Sequence, residues 1–133
     1  MRTRKYGGKS IITASMSDGG LGWSIDTAST AHVVRPSGRV DESTATEFGD
    51  RLLEEIGVAK TGGKSLLALD LSQVAYMSSR GLRALTLAQR RGDEQGVKIA
   101  LSEANDVMRE ILAISRYDMI FPVFEKTADA IAG

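Results

Sequence analysis

Residues 65–87, SLLALDLSQVAYMSSRGLRALTL, decide how this chain is read. From Leu66 to Leu71 the run is nearly all apolar, as expected of a strand covered on both faces. A short loop then leads to paired serines, Ser78 and Ser79, and an amphipathic helix opens at Gly81. Leu82, Ala84, Leu85 and Ala88 define its inner stripe, with Arg83, Arg90 and Arg91 towards solvent. A strand that runs into a helix start aims side chains at unpaired backbone N–H groups and at the positive end of the helix dipole, which favour an anion. A phosphate on either serine would be well placed there. The plainer role for both hydroxyls is to cap the helix.

The flanks extend the pattern. Upstream, Trp23, Ile25 and Thr27 alternate with polar neighbours, and His32-Val33-Val34 begins a second strand, so residues 23–40 read as a hairpin. Pro36 cannot donate to a ladder and is expected at an edge or irregularity. His32 reads as a partly exposed strand residue. After a turn over Gly38–Asp41 a helix follows, with Thr44 and Glu47 as a capping box and Ala45, Phe48, Leu52 and Ile56 inward. Glu42, Asp50, Arg51, Glu54 and Glu55 form its solvated side; Gly57 or the Thr61-Gly62-Gly63 break ends it.

Downstream, Val97, Ile99 and Leu101 alternate as a strand. Asn105 or Asp106 caps a third helix with Val107, Met108, Ile111, Leu112 and Ile114 inward. A short strand over Phe121–Phe124 and a terminal helical turn from Thr127 complete the order. The expected fold is an α/β sandwich: a mixed, mostly parallel sheet with an N-terminal hairpin and about four helices. Residues 1–20 carry Arg2, Arg4, Lys5 and Lys9 without an acid until Asp18, and read as a flexible basic tail before a domain at 21–133. Met16 is a second candidate start, since a complete domain follows it.

Composition narrows the chemistry. A length of 133 residues suits one domain, and 42% hydrophobic with 26% charged residues is the balance of a soluble globular protein. Seventeen basic and seventeen acidic side chains cancel, so no global field points to nucleic acid. Without cysteine there is no disulfide or thiolate site, and a lone histidine argues against a histidine-built metal or catalytic centre. No apolar run approaches the roughly 20 residues of a membrane span. Asp70, Glu103 and Asp118 lie near strand ends but lack partners for a metal cluster or a paired-carboxylate mechanism. Gly62-Gly63-Lys64 lacks the spacing of a phosphate loop and precedes a strand. The expectation is a cytoplasmic, non-enzymatic protein without cofactor or metal.

Several separated motifs carry a family resemblance across about residues 22–132. Pro36-Ser37-Gly38-Arg39-Val40-Asp41 leads into the first helix. Leu69-Asp70-Leu71-Ser72 is followed by Tyr76-Met77-Ser78-Ser79-Arg80-Gly81-Leu82. Ile114-Ser115-Arg116-Tyr117-Asp118 precedes Ile120-Phe121-Pro122-Val123-Phe124. In this order and spacing they resemble bacterial anti-sigma factor antagonists, the small members of the STAS family (sulfate transporter and anti-sigma factor antagonist). In that family the phosphoacceptor follows an aspartate and stands two residues before a glycine. Gly81 matches the glycine and Ser79 the acceptor, while Ser78 replaces the aspartate and is a competing hydroxyl. Arg80 and Arg83 flank the loop, either to screen a phosphate or as solvated helix-start arginines. Asp41 reads as a helix-start acid, and the resemblance places it on the surface that meets a kinase.

The resemblance implies a partner switch. The unphosphorylated form would bind an anti-sigma factor that is also a serine kinase of the histidine-kinase-like ATPase type, serine phosphorylation would release it, and a phosphatase would reset it. The alternative is a STAS interaction module of another assembly, a lipid-transport complex or stressosome-like scaffold.

Overall fold

Period-two apolar rows assemble one sheet, and the helices between its strands pack back on it. The computed structural model describes residues 11–14, 20–27 and 29–132. In chain order the elements are β1 (Ile11–Ala14), β2 (Gly22–Asp26), β3 (His32–Val40), α1 (Ala45–Thr61), β4 (Leu66–Asp70), β5 (Gln73–Met77), α2 (Ser79–Gln95), β6 (Lys98–Ser102), α3 (Asp106–Ser115), a 3-10 turn (Tyr117–Met119), β7 (Val123–Phe124) and α4 (Thr127–Ala132). The sheet runs β1-β2-β3-β4-β6-β7, with β5 added beside the far half of β3. β1, β2 and β3 pair antiparallel, and every other pairing is parallel. This is the mixed α/β sandwich with an N-terminal hairpin and four α-helices expected from the sequence.

Register explains why the central strands are apolar throughout. His32, Leu67 and Ile99 form one cross-strand row, and Val34, Leu69 and Leu101 the next on the same face. All are buried, and all but His32 belong to the main core with Phe48, Leu52 and Ile56 of α1 and Leu85 and Ala88 of α2. The row between, Val33-Ala68-Ala100, faces the other way and is small, which lets the short α4 sit close with Ala130. β6 is therefore buried on both faces from Ile99 onward, not alternating.

Several boundaries differ from the sequence reading, each for a physical reason. Ile11–Ala14, assigned to the tail, form a strand paired with β2; residues 1–10 and 15–19, with Met16, lie outside the described residues. β3 continues through Gly38 to Val40, because a register shift between Gly38 and Arg39 keeps it in the sheet; Gly38 has φ +112°, a conformation costly for other residues. The turn is thus at Asp41–Thr44. Pro36 meets its expected irregularity: β3 pairs with β4 over residues 32–34 and with β5 over 37–40, and Pro36 falls in the handover. The segment read as a loop before the serines is mostly strand β5. Helix α1 passes Gly57, which has open space around it, and ends at Thr61.

The expected capping box of α1 does not form. Thr44 is the N-cap, but its hydroxyl accepts from Asp41 N–H (2.9 Å) and donates to Arg39 C=O (2.7 Å), closing the turn instead. Asn105, not Asp106, caps α3, its Oδ1 accepting from Met108 N–H at 2.9 Å. Of the five apolar residues expected inward on α3, Met108 and Leu112 are buried and Ile111 partly so; Val107 and Ile114 are exposed. Lys64 closes the β2–β3 loop. Its ammonium donates to the carbonyls of Thr27 (2.8 Å), Ser29 and Ala31 (3.4 Å), which accounts for the lysine after the glycine pair.

His32 is the largest departure. It is 1% exposed, and its Nε2 lies 2.6 Å from Oε1 of Glu55, a residue assigned to the solvated side of α1 and in fact buried. The other oxygen, Oε2, accepts from Trp23 Nε1–H at 3.4 Å. Arg51 lies over the Trp23 ring, 5.5 Å from its centroid.

Candidate functional site

Two parallel strands bring the candidate residues together. β3 and β5 end side by side, with Val40 opposite Met77, and Ser78 N–H donates to Val40 C=O at 2.8 Å. Asp41, the next residue of one chain segment, therefore neighbours Ser78 and Ser79 of the other. Helix α2 begins two residues earlier than the sequence pattern indicated, at Ser79.

That shift separates the two serines. Ser78 is the N-cap: it is 8% exposed, and its Oγ accepts from Gly81 N–H at 3.3 Å. Ser79 is the first helical residue and is exposed, and its hydroxyl has no protein partner among the described residues. One serine is occupied with structure and the other is free for chemistry. Gly81 has a packing role. A Cβ there would stand 2.5 Å from Met77 Cγ and 2.7 Å from Val40 Cγ1, so only glycine lets the first turn of α2 lie against the ends of both strands.

Asp41 is a half-exposed turn residue three positions before the N-cap of α1. Its Oδ1 accepts from the Ser43 hydroxyl at 2.8 Å and the Ser43 N–H at 3.0 Å. These two hydrogen bonds hold its carboxyl below the ordinary value of 3.8, with smaller help from the Thr44 hydroxyl and the Arg39 guanidinium and a small opposing effect of desolvation. The folded pKa being the lower one, this contribution to stability is present above the unfolded value and lost as pH falls through the folded one. Ser43→Ala removes the largest cause, so the Asp41 pKa is expected to rise towards 3.8 in a carboxyl-detected NMR titration. An unchanged value would show that the hydroxyl is not the donor.

Charged side chains border the loop. Arg80 Nε reaches Glu42 Oε1 at 3.4 Å across the gap between the two helix starts. Arg39 stacks on the Tyr76 ring, 4.6 Å from its centroid, and approaches Asp41 Oδ2 at 3.8 Å. Beyond them a shallow groove between α1 and α2 is lined by Asp50, Leu53, Arg80, Arg83, Ala84 and Leu87. Gly49 and Ala84 let these helices approach, the Ala84 methyl being 3.3 Å from where a Gly49 Cβ would lie. Arg80 and Arg83 were expected at the site from sequence; Glu42, Arg39, Tyr76 and the groove's Asp50 and Leu53 were not. Only the β3–β5 pairing makes them neighbours of Ser79, and β5 was not anticipated.

Two of the other acids singled out from sequence, Asp70 and Glu103, have structural partners. Asp70 accepts from Arg35 Nε at 2.9 Å and from Ser72 N–H at 2.8 Å. Glu103 accepts from Thr127 N–H at 2.7 Å, at the start of α4. Among the described residues no three His, Asp or Glu side chains gather as metal ligands, and no helix is long and apolar enough to cross a membrane.

A sheet of this order, with a free serine opening α2 beside the end of β3, defines the class, and comparison with known proteins agrees. The family model "Mlab, STAS domain" matches residues 23–122. BtrV of Bordetella bronchiseptica, assigned as an anti-sigma factor antagonist, is 30% identical over 83 residues, which cover 62% of this chain and 72% of that protein. An anti-sigma factor antagonist from Mycobacterium paratuberculosis superposes with a TM-score of 0.65 at 22% identity, covering 90% of this chain and all of that one. The Bacillus cell-fate determinant SpoIIAA in its phosphorylated form superposes with a TM-score of 0.57 at 15% identity, covering 83% and 96%. The chain belongs to the STAS-domain family of anti-sigma factor antagonists.

Proposed function

We propose that this chain is a non-enzymatic anti-sigma factor antagonist that works by partner switching, with Ser79 as its phosphoacceptor. The observation that carries the reading is the division of labour between the serines: Ser78 is buried as the cap, while Ser79 is exposed at the start of α2 and its hydroxyl has no protein partner among the described residues. Unphosphorylated, the surface around Asp41, Ser78, Arg80, Gly81 and Arg83 binds an anti-sigma factor that is also a serine kinase. The kinase transfers the terminal phosphoryl group of ATP: Ser79 Oγ bonds to phosphorus, the bond to ADP breaks and the hydroxyl proton leaves. The product carries about −1.5 to −2 charges where a neutral hydroxyl stood. A separate phosphatase reverses the step. Support comes from BtrV by assignment and from SpoIIAA, a protein of this fold that exists in a phosphorylated form.

The test is to incubate the chain, Ser78→Ala and Ser79→Ala with the cognate kinase and ATP and to map phosphate by mass spectrometry. One phosphate is expected, on Ser79, retained in Ser78→Ala and absent from Ser79→Ala. Phosphate confined to Ser78 would move the acceptor by one residue, and none on either would overturn the switch.

A further inference from the structure

We infer that Arg83 is an intramolecular receptor for the phosphate on Ser79, so that phosphorylation withdraws a cation from the docking surface as well as adding an anion. The inference rests on the reading of Ser79 as acceptor and concerns what the phosphate does once it is there.

Three observations carry it. The first is spacing: Ser79 is the first residue of α2 and Arg83 stands four positions on, so the two side chains share a face with Cβ atoms about 5–6 Å apart. Helical side chains tilt towards the N-terminus, which leans the arginine back over the serine. An anion N-terminal to a cation at this spacing is also the favourable order for the helix dipole. The second is availability. Both residues are exposed, and Arg83 makes no ion pair among the described residues.

The third is that the rival is engaged. Arg80 lies about 100° round the helix from Ser79 and is paired with Glu42 at 3.4 Å. Moving Arg80 to the phosphate would break that pair, whereas Arg83 gives up nothing but water. A planar guanidinium offers two parallel N–H donors to phosphate oxygens. The captured pair would lie along the mouth of the α1–α2 groove, which Arg83 lines. A kinase surface that had met one free cation and a hydroxyl would then meet a closed ion pair.

The experiment installs phosphoserine at position 79 during translation, so no kinase is needed, and titrates the phosphate by phosphorus NMR. Its second ionisation lies near pH 6 when unassisted. The Arg83→Gln variant is expected to raise it by half a unit or more, Arg83→Lys to restore part of the shift, and Arg80→Gln to move it less than half as far. Circular dichroism of each variant checks that the fold is kept. An Arg83→Gln protein that titrates like the parent would overturn the inference, as would a larger shift in Arg80→Gln. The two readings fail separately. If no kinase modifies Ser79 the acceptor reading falls, while the titration of the installed phosphate still decides the role of Arg83.

Discussion

Replacing Glu55 by leucine is expected to destabilise this domain strongly, although leucine is apolar and the site is buried. The carboxylate is buried and both oxygens are used, one by His32 Nε2 at 2.6 Å and the other by Trp23 Nε1 at 3.4 Å. A leucine fits the volume but leaves two N–H donors without acceptors in the core. An unsatisfied buried group costs about 1–3 kcal/mol, so the pair amounts to roughly 3 kcal/mol or more. At the scale of this domain that lowers the melting temperature by about 10 °C. Glu55→Gln, which keeps one acceptor oxygen, should lose about half as much. The double change His32→Leu with Glu55→Leu should recover part of the loss, because an apolar pair removes the desolvated donor together with its acceptor. Thermal unfolding followed by circular dichroism decides it. A drop of only a degree or two for Glu55→Leu would show that the triad contributes no more than a surface contact.

That triad also marks where sequence reading stopped. Helix periodicity located Phe48, Leu52 and Ile56 correctly because an apolar stripe declares its own direction. Glu55 sits beside that stripe, and an acid there is ordinarily solvated; its burial depends on His32 and Trp23, 23 and 32 residues away. A lone histidine at a strand start carries no local sign of its partner. β5 was missed for a related reason. Gln73–Met77 follows β4 too closely for a crossover within one sheet register, and the solution, pairing with the far half of β3, is a tertiary fact. On α3, Val107 and Ile114 repeat at helical spacing but lie outside the arc that β5 and the 3-10 turn cover.

The serine loop was legible from its strand-to-helix change and its glycine. The structure gives the two serines different environments: Ser78 caps the helix through Gly81 N–H, and Ser79 is the exposed first helical residue. Asp41 reads from sequence as a helix-start acid but stands in the turn three residues before the N-cap, and its nearness to the serines follows from strands β3 and β5 ending together.

The largest functional effect is expected from Ser79→Asp. Its fold should be unchanged, because position 79 is exposed and opens a helix, where a carboxylate meets free N–H groups and the favourable end of the dipole. Melting temperature should therefore stay level or rise slightly. On the proposed partner switch, affinity for the anti-sigma factor kinase should collapse. A partner surface shaped around a neutral hydroxyl must desolvate the new charge without pairing it, at a cost of several kcal/mol, or about a hundredfold or more in Kd. Ser79→Ala supplies the contrast: it loses a hydroxyl and no volume of consequence, so binding should persist while phosphorylation is lost, holding the switch in its binding state. Ser78→Ala separates capping from signalling. Losing the cap should cost about 1 kcal/mol of stability, with binding and phosphorylation at Ser79 retained. Calorimetric titration of the kinase with each variant, run beside thermal melts, distinguishes these outcomes. If Ser79→Asp binds as tightly as the parent, charge at this position is not what releases the partner, and the groove between α1 and α2 must be read as serving a different contact.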